Sequence, residues 1–331
     1  MQCRICASRE VKALGRVKYY QDYGWSVFDC LACLCRFTQH DPSIYNRLHS
    51  NSGSIYGLYR DLAEQSKRLF DQGDLAALKR ELLATAKYRF IIESVEQHST
   101  SVKLLEIGCS RGYLTSYFIL AGYDILGSDV SPEAINAARE AFGAHFVGVC
   151  STVLQKDSAY DVIYHVGTIG CVNDPLGLTT DLLRMLKPGG QLLFNAPNVD
   201  SCWLKGQLWL DAAPPPDLVT LFRPGFWQKQ FSSAAIVEEE IEMCPAEQAF
   251  CIGLRKVSGR SWRRPDPLPL DESVNHYQNG RPENLAWGER IWQRLENNSL
   301  KIARLTHLLT LAPKQPSPFG LFVKMTKKYA Q

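Results

Sequence analysis

The sequence predicts an α/β fold, a largely parallel sheet flanked by helices, with a small metal-stapled module placed before it. Three observations carry this expectation. From Lys103 onward, short apolar runs alternate with glycine turns and helical patterns, the rhythm of strand, crossover and strand. Leu104-Leu105-Glu106-Ile107-Gly108-Cys109-Ser110-Arg111-Gly112 runs a buried strand through a glycine turn into a helix. The pairs Cys3-x2-Cys6 and Cys30-x2-Cys33, with 23 residues between them, have the spacing of two chelating turns.

Taken in order, residues 1–45 read as a zinc-ribbon-like module with short strands at Val17–Tyr20 and Trp25–Phe28. Residues 46–100 read as a helical connector, because Leu75, Leu78, Leu82 and Leu83 recur at helical spacing and Gly73 separates two helices. Residues 101–256 hold the sheet, with strands at Lys103–Ile107, Asp124–Ser128, His145–Val149, Tyr160–His165, Gln191–Asn195, Ile236–Met243 and Phe250–Lys256. That is a seven-stranded sheet, with helices over Tyr113–Ala121 and Pro132–Ala141. Residues 257–331 read as a basic C-terminal extension: a Pro/Arg/Ser-rich linker, a helical stretch over Pro282–Leu311, then a breaker cluster at Pro313–Pro318.

The 331 residues suffice for one full domain and smaller modules, and 45% hydrophobic with 21% charged residues excludes a disordered or fibrous chain. No stretch reads as a signal peptide or a membrane span, so a cytoplasmic protein is expected, and its 11 cysteines should be reduced thiols, the paired ones reading as metal ligands. Net charge is +3, but from Arg255 onward 14 Lys/Arg face 6 Asp/Glu, so the basic surface is C-terminal.

The glycine loop admits three readings. A dinucleotide fingerprint wants glycine at 108, 110 and 113, where this chain has Ser110 and Tyr113 at the last two. Gly108-Cys109-Ser110-Arg111-Gly112 matches the G-x-S-x-G nucleophile elbow of α/β hydrolases, but no sheet strands or oxyanion-loop motif precede it. The third reading joins Glu106 at the strand end to Asp129, 17 residues beyond Gly112, where an acid binds ribose hydroxyls. With Val130-Ser131-Pro132 after it and Leu186-Lys187-Pro188-Gly189-Gly190 before a later strand, the stretch 102–198 resembles the methyltransferases that use S-adenosylmethionine.

That resemblance implies a Rossmann-like seven-stranded methyltransferase sheet and assigns cofactor contacts. Glu106, Gly108, Cys109, Ser110 and Gly112 would form the methionine loop, Asp129 would bind the ribose, and Val130 would touch the adenine. The acid that often follows the third strand is missing, and Ser151 or the backbone at Cys150 stands in for it as a contact to the adenine amine. The order of cysteine module, then Asp41-Pro42-Ser43-Ile44-Tyr45, then this core resembles bacterial methyltransferases of sugar nucleotides, polysaccharides and natural products. It implies a sugar-like small-molecule acceptor and leaves homodimerisation open.

For the cysteine module, Cys3, Cys6, Cys30 and Cys33 are the expected ligands of a structural zinc ion, with Cys35 an extra nearby thiol and alternative ligand. Four thiolates around Zn²⁺ carry −2, which leaves the first 50 residues, with 7 Lys/Arg and 4 Asp/Glu, close to +1; that is poor equipment for gripping nucleic acid. His165, closing the fourth strand, is the candidate general base, and Tyr164 should face the other side of that strand. Asn195 and Asn198 are candidate sugar contacts or turn-stabilising amides. Trp203, Trp209, Phe222, Phe226 and Trp227 are candidates for a hydrophobic cover. The competing functions are RNA methylation and ligand binding on a degenerate methyltransferase fold.

Overall fold

The computed structural model describes residues 1–19, 23–39, 57–149, 156–201, 204, 207–210, 213–257, 292, 295, 298–302 and 316–329. Asp41–Tyr45, Cys150, Ser151, Trp203 and the 258–270 linker lie outside them. A four-stranded antiparallel sheet comes first: β1 (Val11–Tyr19), β2 (Tyr23–Cys30) and β3 (Arg36–Thr38), completed by β9 (Thr220–Leu221) from far along the chain.

Three helices follow, α1 (Gly57–Asp71), α2 (Leu75–Leu83) and α3 (Ala86–Val95), rather than two. Asp74 caps α2 by accepting from the Ala77 amide, and the chain turns again at Ala84–Thr85 before α3. These helices are no mere connector. Leu78, Leu82, Ile91, Ile92 and Val95 pack with Leu104, Ile125, Val162 and Leu193 against one face of the main sheet.

The main sheet has seven strands in the order β10-β11-β8-β7-β4-β5-β6. Its strands are β4 (Lys103–Ile107), β5 (Asp124–Asp129), β6 (Phe146–Gly148), β7 (Tyr160–His165), β8 (Leu186–Ala196), β10 (Ala235–Met243) and β11 (Pro316–Lys327). Helices α4 (Thr115–Leu120), α5 (Pro132–Phe142), α6 (Pro175–Met185), α7 (Phe226–Phe231) and α8 (Ala246–Val257) connect them. From β4 to β8 all pairings are parallel, whereas β11 runs antiparallel to both β8 and β10.

Two expectations need correction here. Phe250–Lys256, read as the seventh strand, lies inside helix α8. The seventh strand is β11, from the stretch assigned to the C-terminal extension, and its fully buried Leu321, Val323 and Met325 sit between β8 and β10. Residues 257–331 therefore do not form an appendage as a whole; their end is part of the central core.

The other face of the sheet, through Leu105, Ile163, Leu192 and Phe194, packs on α6, α7 and the N-terminal module in one continuous core that includes Ile5, Phe28 and Phe37. Further contacts bind the module to the domain. Arg36 pairs bidentately with Asp29 and donates to the Leu208 carbonyl, and Thr38 N–H donates to Val219. Trp209, Phe222, Phe226 and Trp227 are all buried, so the aromatic segment is core between module and domain.

Candidate cofactor site and cysteine centre

The chain leaves β4 for β5 and β6 on one side, then returns to β7 on the other. Neighbouring connections therefore diverge at the carboxyl ends of β4 and β7, which opens the crevice where open α/β sheets bind ligands. The loop after β4 lies there. Gly108 has φ +75°, and a Cβ on it would come within 2.4 Å of Thr168 Oγ1 from the loop after β7. Gly112 has φ +77°, and its Cβ would come within 2.6 Å of the Phe146 ring. Both positions need glycine for conformation and for space. Ser110 also has positive φ, +50°, in the left-handed region where a glycine would be unstrained.

Hydrogen bonds from β5 hold the loop in place. The Ser128 carbonyl accepts from Gly108 N–H at 2.7 Å and Cys109 N–H at 3.0 Å. One Asp129 carboxylate oxygen accepts from Ser110 N–H at 2.8 Å, and the other from Ser131 N–H at 2.9 Å. Each oxygen keeps a lone-pair direction for a further donor, such as a ribose hydroxyl. Ser131 caps α5 in turn, accepting from Ala134 N–H. Val130, 59% exposed, and Val149, 40% exposed, follow the ends of β5 and β6, and Val149 N–H donates to the Asp129 carbonyl. That apolar pair beside the carboxylate suits the flat face of an adenine. Val149 carries no signal of its own in the sequence, because only the pairing of β5 with β6 sets it beside Asp129.

Not every predicted contact sits at the ligand face. The Cys109 side chain is buried with Ile135, Ala138, Phe142 and Phe146, so only its backbone is available. Glu106 is buried behind the loop and accepts from Thr115 Oγ1 and, at 3.1 Å, from Tyr164 Oη. Burial raises its carboxyl to about 7, against the pull of those two hydrogen bonds. Glu106 therefore holds the loop's rear rather than the cofactor. Thr115 gave no signal, since only the helical turn after Gly112 brings it to this carboxylate.

His165 is the clearest correction. It is fully buried, its ring stacks on Phe194 at 4.7 Å between centroids, and among the described residues neither ring nitrogen has a hydrogen-bond partner. Burial lowers its pKa to about 3, so it is neutral, and no acceptor reaches it in this arrangement. His165 is equally unavailable as the base of a serine-hydrolase elbow, since among the described residues its imidazole has no hydrogen bond to Ser110. Asn195 and Asn198 are turn amides. Asn195 accepts from Gly167 N–H and donates to the Phe319 carbonyl, and Asn198 accepts from Asp200 N–H.

The four cysteines do converge. Their sulfurs lie within 4.8 Å of one another, with Cys3–Cys33 at 3.9 Å and Cys6–Cys30 at 3.6 Å. A tetrahedral ZnS4 centre with bonds of about 2.3 Å needs sulfurs about 3.8 Å apart, so the set fits such an ion. The two turns follow one backbone course: Ala7 N–H donates to the Cys3 carbonyl and Leu34 N–H to the Cys30 carbonyl, and Ala7 and Leu34 both take positive φ. Without a cation the Cys3 thiol stays protonated, held far above its ordinary range by its hydrogen bond with Cys33 and by burial. Cys35 stands outside the cluster, a buried thiol donating to the Cys33 carbonyl.

A substitution tests the reading of His165. A lowered imidazole pKa gives stability that is present above pH 6.5 and lost as pH falls toward 3. His165→Phe keeps the ring against Phe194, so it should bind S-adenosylmethionine like the parent and lose less melting temperature between pH 7 and pH 5. Calorimetric titration and thermal melts check both. A variant that melts no differently in acid would place the imidazole in water.

Comparison with known proteins agrees with this geometry. A family model described as a methyltransferase domain matches residues 61–234. The chain is 31% identical over 103 residues to a ubiquinone biosynthesis O-methyltransferase of Aliivibrio fischeri, 29% of this chain and 44% of that protein. It is 27% identical over 109 residues to a malonyl-[acyl-carrier protein] O-methyltransferase of Serratia marcescens, 32% of this chain and 43% of that one. The chain thus spans less than half the length of these relatives. A SAM-dependent methyltransferase structure from Archaeoglobus fulgidus overlays 73% of this chain and 92% of its own, with TM-score 0.42 and 15% identity. With its strand order, its glycine loop on the switch point and the match over more than half its length, the chain belongs to the methyltransferase-domain family, in the S-adenosylmethionine-dependent, Rossmann-like class.

Proposed function

We propose that the protein transfers a methyl group from S-adenosylmethionine to a hydroxyl oxygen of a small acceptor, a sugar or sugar nucleotide. The observation that carries the transfer is the glycine loop at the switch point, locked to Asp129, whose two carboxylate oxygens accept from Ser110 N–H in that loop and from Ser131 N–H at the start of α5. S-adenosylmethionine supplies an electrophilic methyl on a sulfonium. The chain's task is to hold that group in line with the acceptor and exclude water, so positioning supplies most of the rate. Gly108, Ser110 and Gly112 give backbone approach for the methionine part, Asp129 holds the ribose, and Val130 with Val149 flanks the adenine. Ser151 keeps its proposed role toward the adenine amine.

Oxygen as the acceptor atom is supported by the two curated relatives, both named O-methyltransferases. A sugar-like acceptor is supported by the cysteine module before the core, and a metallated module near +1 weighs against RNA. The decisive experiment is transfer of tritiated methyl from S-adenosylmethionine to UDP-glucose, dTDP-glucose, catechol and ribosomal RNA. Label in a sugar nucleotide is expected; label in RNA alone, or in none of the four, would contradict the proposal.

We propose also that Cys3, Cys6, Cys30 and Cys33 hold one structural zinc ion. Elemental analysis of protein purified without chelator should give about one zinc per chain. Cys33→Ser should lose the metal and lower the melting temperature, since metal binding is folding free energy for so small a module. Full stability in zinc-free protein would remove the ion from this account. Among the described residues no helix is long and apolar enough to cross a membrane.

A further inference from the structure

Arg4 lies in the first chelating turn, between Cys3 and Cys6, yet its guanidinium reaches out of the cysteine module to the loop after β7. We propose that Arg4 is a positioning residue that couples the metal state of the cysteine centre to the affinity for S-adenosylmethionine. The proposal rests on the methyltransferase reading of the glycine loop and on the structural zinc ion.

The hydrogen bonds of Arg4 close a ring. Nη1 donates to the Thr38 carbonyl at 3.2 Å, at the end of β3. Nη2 donates to the Val172 carbonyl at 2.9 Å and to Asn173, at 3.0 Å to its carbonyl and 3.2 Å to its Oδ1. Thr38 N–H donates to the Val219 carbonyl at 3.0 Å, and Val219 N–H donates to the Gly170 carbonyl at 2.9 Å. Gly170 stands two residues before Val172, so the path from Arg4 through Thr38, Val219 and Gly170 returns to the same guanidinium. A planar fork sends its two terminal nitrogens to separate acceptors, which the point charge of a lysine does not do. Among the described residues Arg4 Nε is buried without a partner, a cost that the bonds to 38, 172 and 173 offset.

One side of this ring is the loop that meets the glycine loop. Cys171 N–H donates to the Thr168 carbonyl at 2.9 Å, which folds residues 168–171 into one turn. Thr168 Oγ1 donates to the Ile107 carbonyl at 3.4 Å, and a Cβ on Gly108 would come within 2.4 Å of that oxygen. The backbone abutting Gly108 is therefore held at its start by Asn195, in its middle by the amide of Val219 and at its end by Arg4.

Two effects make that grip depend on the metal. Ligation through Cys3 and Cys6 fixes the turn that carries Arg4, so the ring forms with less conformational freedom left to lose. Four thiolates around Zn²⁺ also place a net −2 in the same turn, which favours a part-buried guanidinium. Without the ion the ring loosens, Thr168 is freer to leave Ile107, and the glycine loop loses support on that side.

Calorimetric titration of S-adenosylmethionine into the full chain tests this, using zinc-loaded and chelator-stripped forms of the parent and of Arg4→Gln. Circular dichroism shows that each form is folded, and elemental analysis gives its zinc. Stripping should weaken binding to the parent about tenfold, within the usual range of coupling between two sites. Zinc-loaded Arg4→Gln should bind about as weakly as the stripped parent, and stripping it should change little further. Coupling is reciprocal, so saturating S-adenosylmethionine should tighten zinc binding by the parent about tenfold in equilibrium competition with a chromogenic chelator. An arginine that only supports the fold would lower stability without linking the two affinities. If the stripped form unfolds, the two zinc-loaded titrations decide; if Arg4→Gln does not fold, the competition on the parent decides. Equal cofactor affinity in the two zinc-loaded proteins, or parental zinc affinity indifferent to S-adenosylmethionine, would overturn the coupling and leave both earlier readings standing. A parent that binds S-adenosylmethionine but holds no zinc would remove the metal and the coupling together. A zinc-loaded parent that binds no S-adenosylmethionine would instead remove the cofactor site and the coupling.

Discussion

The Asp129 carboxylate is the interaction on which the proposed site depends. It closes β5 and accepts from backbone amides on two separate turns, Ser110 in the loop after β4 and Ser131 at the start of α5. With the Ser128 carbonyl accepting from Gly108 and Cys109, it ties two neighbouring strand ends into one rigid rim. The positive φ angles of Gly108, Ser110 and Gly112 are the backbone's means of presenting those amides, and the tight approach of Thr168 and Phe146 follows from them. Glu106 completes the rim from behind, bridging Thr115 and Tyr164, so the two acids divide the work: one faces the ligand and one faces the core.

The cysteine module packs against the segment that follows β7. Arg4, between two of the proposed ligands, donates to the carbonyls of Thr38, Val172 and Asn173, and burial lowers its pKa to about 10. Residues 172 and 173 follow the loop that carries Thr168 and Cys171. Strand β3 meanwhile pairs with β9 just after Asp217. The module is thus tied to the loop after β7 and to β9 of the methyltransferase domain.

Much of this was legible in the sequence where local rules and the fold agree. The run Leu104–Gly112, Asp129 before Ser131-Pro132, and the two cysteine pairs each carry their chemistry within a few residues, and each lies where the pattern put it. The misses have physical causes. Phe250, Ile252 and Leu254 alternate like a strand, yet the segment is helical, and the strand it displaced, β11, begins Pro316-Ser317-Pro318, which reads as a breaker. A proline is tolerated there because it lies at the strand's start, where the Pro318 carbonyl still accepts from Asn198 N–H. His165 was misjudged because a strand-end position does not reveal which neighbours close over it, and Phe194 comes from the adjacent strand.

The central claim is that the rim held by Asp129 is where S-adenosylmethionine binds. The most direct test is calorimetric titration of S-adenosylmethionine into the parent and into Asp129→Ala, with circular dichroism to show that both are folded. Losing charge-assisted hydrogen bonds worth about 1.5–3 kcal/mol each should weaken binding about a hundredfold or more. Parental affinity in a folded Asp129→Ala protein would contradict the account.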